Sequence, residues 1–170
     1  MDSSPPAEPQ DLPTEARLDT LAAQAEAIDA LIDLAQLRLQ VFDRDLSQTG
    51  WNGAGRAERL AAFFRRSRHA RLALIVHDPR YLESACPRIL DLLKVYGHAM
   101  QVWRTGNEAR NATDALVIAD GRHCLHRYHV DQPRATLATN APALVKPLAA
   151  RFEEIWATGE PALGGSVLGL

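Results

Sequence analysis

Lysine is nearly missing from this chain: Lys94 and Lys146 are the only two in 170 residues, and the remaining basic side chains are arginines and histidines. With so much alanine, that bias looks like the mark of a GC-rich bacterial coding sequence rather than of a function. Cysteine is equally scarce. Cys86 and Cys124 are too few for a disulfide framework or a cysteine-based zinc site, so a reducing, cytoplasmic location is expected. Apolar runs such as Leu72 to Val76 reach only five residues, whereas a membrane-spanning helix needs about 20. The opening Met1-Asp-Ser-Ser-Pro-Pro has neither the basic start nor the apolar segment of a secretion signal. Gly50, Gly53 and Gly55 lack the Lys-Ser/Thr of a P-loop. There is no Gly-x-Ser-x-Gly nucleophile elbow either, because Gly164-Gly-Ser-Val lies in the tail.

What remains is an ordinary globular composition, 46% hydrophobic and 24% charged, with the length of one domain. The net charge of −2 conceals an asymmetry. Residues 1–34 hold eight acids against Arg17 alone, so the rest of the chain is mildly basic. Pro5, Pro6, Pro9 and Pro13 mark 1–13 as a disordered acidic leader. A single α/β domain over 14–158 follows, then an irregular tail over 159–170 with Gly159, Pro161, Gly164 and Gly165.

Within the domain, apolar residues at three- and four-residue spacing from Leu18 to Ile32 predict a helix over 14–34 with Thr14 as its cap. A strand is expected over 37–42, then a polar loop to Gly55 that leaves Trp51 exposed. Further elements are a helix over 57–66, a buried strand over 71–77, and a helix marked by Leu90 to Val95 that ends near Gly97. A strand over 98–104 and a loop over 105–113 lead to strands over 114–120 and 123–129, joined tightly at Asp120-Gly121. A short strand over 134–139 and a helix opened by Pro142 complete the order. The expected fold is α/β, a mixed, mainly parallel sheet with helices on both faces.

The Ala119-Asp120-Gly121 turn, the segment Leu74-Ile-Val-His-Asp78, the set Leu37, Phe42, Asp45 and Leu46, and Phe152-x-x-x-Trp156 occur in an order that resembles one repeat of the phospholipase-D-like superfamily across about 27–161. Within it the chain is most similar to an uncharacterised proteobacterial domain sometimes fused to an acetyltransferase. Enzymes of the superfamily carry His-x-Lys-x-x-x-x-Asp on the first strand of the hairpin. With Asp120 as that Asp, the His position holds Thr113 and the Lys position Ala115. Thr113 cannot form a phosphohistidine and Ala115 offers no cation. The family's Gly-Ser-x-Asn element has only Asn140 as a counterpart. The resemblance therefore implies a non-catalytic module, not an enzyme, that binds a small anionic ligand or a protein partner. Its catalytic relatives build their sites from two repeats, which implies a homodimer here.

Asp120, His126, Tyr128 and Asn140 are the candidate ligand-binding residues, and Arg65, Arg66, Arg68 and Arg71 the candidate anion-binding set. The more ordinary reading of those arginines is stabilisation of a helix C-terminus. Nucleic-acid binding through them is an alternative, disfavoured because the body is only mildly basic. A second alternative is a divergent phosphodiesterase using His126 or His129 with Asp120. His123, Cys124, His126, His129 and Asp131 crowd one hairpin strand without forming a four-ligand zinc set, so no metal or cofactor is expected.

Overall fold

Among residues 12–163, which the computed structural model describes, eight strands form one sheet in the order β1-β7-β6-β5-β2-β3-β4-β8. In chain order the elements are β1 (Thr14–Leu18), α1 (Leu21–Leu34), β2 (Arg38–Asp43), α2 (Ala54–Arg66), β3 (Arg71–Val76), α3 (Arg80–Ala85), α4 (Pro87–Tyr96) and β4 (Met100–Arg104). A 3-10 turn over Asn107–Ala109 follows, then β5 (Ala115–Ala119), β6 (His123–Arg127), β7 (Ala135–Thr139), α5 (Pro142–Thr158) and β8 (Glu160–Pro161). The expected mixed α/β sheet is the fold observed, but it is not mainly parallel: five of its seven strand pairings are antiparallel, because the β5–β6–β7 meander, β1 and β8 all pair that way.

Strands β2, β3 and β4 are parallel, and α2 and the α3–α4 pair supply the crossovers such strands need. The chain then returns to the other side of β2, where β5 pairs antiparallel and begins the β5–β6–β7 meander. Period-2 alternation assigns each strand residue to a face. On one face Val41, Leu74, Val117 and Leu125 pack under α1, α2 and α4, whose contributions include Leu31, Phe63 and Ile89. On the other, Phe42, Ile75, Leu116 and Cys124 pack under Val145, Phe152 and Ile155 of α5. Helices cover both faces. None of the described helices is long and apolar enough to cross a membrane.

The largest correction concerns the first element. Residues 14–18 form β1, antiparallel to β7, and not the first turns of a helix. Thr14, Ala16 and Leu18 face one way and Glu15 and Arg17 the other, an alternation that the following alanines disguise as helical periodicity. The helix starts at Leu21, and its cap is Thr20, whose hydroxyl accepts from the Ala23 amide at 3.1 Å. The helix before Gly97 is two helices, divided at Cys86 with Pro87 at the first position of α4. Trp51 is buried, not exposed: 2% of its surface is accessible, and the Arg56 guanidinium lies 4.8 Å from its ring centroid. Arg56 is itself buried and held by Asp29 at 2.5 Å. The tail begins with β8, paired to Trp103 and Arg104 of β4. Most of the acidic leader, residues 1–11, and the tail from 164 onward lie outside the described residues.

Candidate functional site

Parallel strands deliver the residues that follow them to one end of the sheet. Arg44 follows β2, His77 follows β3 and Thr105 follows β4, while Thr113 stands at the entrance to antiparallel β5. Strand order reverses here between β2 and β5, and in open α/β sheets ligands occupy the crevice outside the carboxyl ends at such a point. A cavity of about 430 Å3 lies there, lined by these four residues together with Asn107, Arg110, His129 and Asp131.

His77 braces it. Its Nε2–H donates to the Ala112 carbonyl at 2.6 Å, which leaves Nδ1 to accept from the Thr105 hydroxyl at 2.6 Å. The ring edge meets Phe42 at 5.2 Å. With both nitrogens engaged, His77 is built to hold the loop rather than to attack a substrate. His129 differs: Nδ1 accepts from the Asp131 amide at 3.1 Å, and Nε2 has no partner among the described residues. Arg44 pairs with Asp131 at 3.2 Å, and exposed Arg110 spends one N–H on Asn107 Oδ1 at 2.9 Å. The lining therefore offers two guanidiniums and two imidazoles against one carboxylate.

The wall from His129 to Asp131 is fixed from beneath. Arg127, 4% exposed, donates to the carbonyls of Val130 and Gln132 and to Gln48 Oε1, while the Val130 amide reaches Thr113 O at 2.7 Å. Burial lowers the pKa of Arg127, and nearby Asp43 opposes that effect. Arg127 is also the cross-strand partner of Ala115.

Beside the cavity, on the α5 face, Asp114 is buried and accepts from His126 Nε2 at 3.0 Å and from the Arg151 fork at 2.9 and 2.6 Å. Burial alone would raise its carboxyl, but the His126 and Arg151 bonds together hold it well below the usual carboxylate range. Arg151 is raised in turn by Asp114. Tyr128 packs edge-on to His126 at 5.1 Å and bonds Thr136 through its hydroxyl.

The four candidate ligand-binding residues do not converge. Asp120 lies at the other end of the hairpin, where its carboxylate accepts from the amides of Gln36, Leu37 and Arg38 at 2.8, 2.9 and 2.9 Å. Asp120 and Gly121 have φ of +54° and +65°, left-handed conformations at the two central positions of a turn closed by the Arg122 amide on the Ala119 carbonyl at 3.0 Å. Asn140, at φ +51°, is at that same end, its amide donating to His123 Nδ1 at 2.9 Å. Burial lowers the His123 pKa, with Arg122 adding to the effect. His126 and Tyr128 belong to the Asp114 cluster instead. Asp120 therefore meets neither His126 nor His129, and the expected acid–base pairing is not formed.

The arginine patch is also divided. Arg66 donates to the Ile32 and Ala35 carbonyls at 2.9 and 2.6 Å, closing the end of α1. Arg71 bonds the Arg68 and Ala70 carbonyls, and Arg68 reaches His69 at 3.3 Å, while Arg65 is exposed. Both cysteines are free and buried, and burial pushes the Cys124 thiol up to about 11. Among the described residues no three His, Cys, Asp or Glu side chains are grouped to hold a metal ion. Sequence reasoning missed Arg44, His77, Asn107 and Arg110 as site residues. The available signal was position, since three of the cavity's residues directly follow parallel strands.

This sheet, with its hairpin set against β2, is the phospholipase-D-like fold. The phospholipase D family member Nuc from Salmonella typhimurium superposes with a TM-score of 0.65 at 12% identity, over 90% of this chain and 100% of that one. NucT from Helicobacter pylori gives 0.57 at 10%, over 88% and 99%. TrmBL2, an archaeal chromatin protein whose structure shows a novel mode of DNA binding, gives 0.63 at 10% over 86% of this chain; the match spans about half of that protein, 53%. The chain belongs to the family described as Domain of unknown function (DUF7931), whose model matches residues 20–163. No curated protein sequence matches it.

Proposed function

We propose that this chain is a phospholipase-D-like module that binds a small anionic ligand at the carboxyl ends of β2–β4 and does not turn it over. The observation that carries the reading is the cavity lined by Arg44, Arg110, His77 and His129, with Thr113 at its edge where the superfamily's nucleophilic histidine would stand. Guanidinium forks match phosphate and carboxylate oxygens. The neighbouring strand position, Ala115, supplies no ammonium group, and Arg127 opposite it is committed to backbone carbonyls. The test pairs two assays: calorimetric titration with inorganic phosphate and phosphate monoesters, and turnover of a chromogenic phosphodiester. Binding without turnover is expected. Hydrolysis that survives repeated purification and disappears in His129→Ala would establish an enzyme instead. The same reading places a second copy across the cavity mouth as a two-fold dimer; light scattering that returns the 18.7 kDa mass of one chain would remove that part.

A further inference from the structure

We propose that a second cavity, at the amino ends of the parallel strands, binds a nucleotide-class ligand: one planar aromatic ring carrying a phosphate. It measures about 270 Å3 and lies at the opposite end of β2–β4 from the cavity described above. That volume is just below the roughly 300–1,000 Å3 range of small-molecule sites, room for one ring system.

On the α5 face its apolar surface is Ala73 of β3 and buried Phe152; Leu39 and Leu72 also line it, but their side chains enter the core beneath the opposite face of the sheet. Trp156 supplies an aromatic wall. The indole stacks on Trp103 at 4.4 Å and 19°, and on Phe152 at 5.8 Å and 26°, so it is fixed before any ligand arrives. The rim is cationic. Arg38 and Arg71 are register partners on β2 and β3, which starts their side chains about one strand spacing apart on the same face. His98, just before β4, adds an imidazole beside them.

These cations are only partly spent. Arg38 uses Nη2 on Glu153 at 2.7 Å, and Arg71 uses Nη1 on the turn carbonyls of Arg68 and Ala70. The other N–H groups of both guanidiniums have no protein partner among the described residues. Glu153 is the sole carboxylate in the lining. Its Oε1 already accepts from Arg38 and Gln40, leaving Oε2 to receive an N–H from the edge of a heterocycle. An inorganic anion alone would leave the apolar surface wet, and an uncharged ring would leave two adjacent guanidiniums unneutralised. A ring bearing a phosphate satisfies both.

The experiment titrates the full chain with adenosine 5′-monophosphate, following tryptophan emission and heat. Adenosine, inorganic phosphate and a short single-stranded oligonucleotide are run in parallel. Trp51 is buried under Arg56, away from this cavity, so a ligand-induced change in emission reports on Trp156 and its stacked neighbour Trp103. Saturable quenching by the mononucleotide is expected, with adenosine and phosphate each weaker by at least about tenfold. Arg71→Ala should lose a similar factor and Arg71→Lys less, whereas Arg65→Ala, outside the cavity, should bind normally. Trp156→Phe should lose most of the emission change while calorimetry still records binding. Equal affinity for the oligonucleotide would support the same ring-and-phosphate recognition from either source. No binding of the mononucleotide, binding of the oligonucleotide alone, or loss in Arg110→Ala with full binding in Arg71→Ala would overturn the proposal. The last result would leave the other cavity's anion reading standing.

Discussion

At one end of the β5–β6 hairpin a carboxylate has its oxygens filled by three backbone amides; at the other, two arginines and two histidines line a cavity of about 430 Å3. Asp120 and Arg110 are both polar loop residues, and nothing in their identity separates scaffold from site. Partner count does. Asp120 fastens the link between α1 and β2 to the hairpin turn, and its acceptors are spent there. Arg110 commits one N–H to Asn107 and keeps the rest. Asp114 combines the two situations: it lies at the open end, yet its carboxylate is filled by His126 and Arg151.

The largest expected effect therefore comes from Asp114. Asp114→Ala removes the acceptor of the Arg151 fork and of His126 and should cost about 3 kcal/mol, the low end for breaking a buried pair because the Arg151 side chain is 42% exposed. Its pH dependence has a fixed sign. The folded carboxyl titrates below its unfolded value, so its contribution is complete above about pH 4 and declines as pH falls toward the folded value. Urea melts of wild type and Asp114→Asn should therefore differ more at pH 7 than at pH 3. A constant difference would mean that the ion pair does not carry the effect.

Asp120→Ala comes next, at about 2 kcal/mol, since the freed amides at a partly exposed turn regain water. Asp120→Asn should cost less, because asparagine accepts the positive φ and retains one acceptor oxygen. Neither change should alter ligand binding at the far end; an altered affinity would break the contrast between the two ends. Smaller again, Arg44→Ala and Arg110→Ala should each weaken phosphate binding by about tenfold, equivalent to about 1.4 kcal/mol, with the thermal midpoint nearly unchanged. Arg65→Ala should change stability by less than about 0.5 kcal/mol, as an exposed side chain outside both cavities.

Much of the fold was legible because its strands are short apolar runs between polar breaks, and because Asp120-Gly121 is a turn signal with few alternatives. The order of elements from β2 to α5 followed from those features. β1 was not legible: its alternation spans only five residues and leads into an alanine-rich helix, and its pairing with β7 is a contact across more than a hundred residues. Trp51 was misread for a related reason. A loop aromatic between glycines looks exposed until Arg56, arriving from α2, covers it. The site was the least legible part. Asp120 and Asn140 answer to motif positions of the superfamily and His126 and Tyr128 share the hairpin with them, but hairpin geometry sends the four to different ends and partners. Arg44, His77 and Arg110 are far apart in sequence and meet only because parallel strands end together.

Backbone amide shifts recorded during titration with inorganic phosphate test the central claim most directly, since both ends of the hairpin are read in one experiment. The account predicts that the shifts at the lowest phosphate concentrations concentrate in residues 105–113 and 129–131, with Gly121 still. Shifts centred on the Asp120 turn, or none at either end at millimolar phosphate, would contradict it.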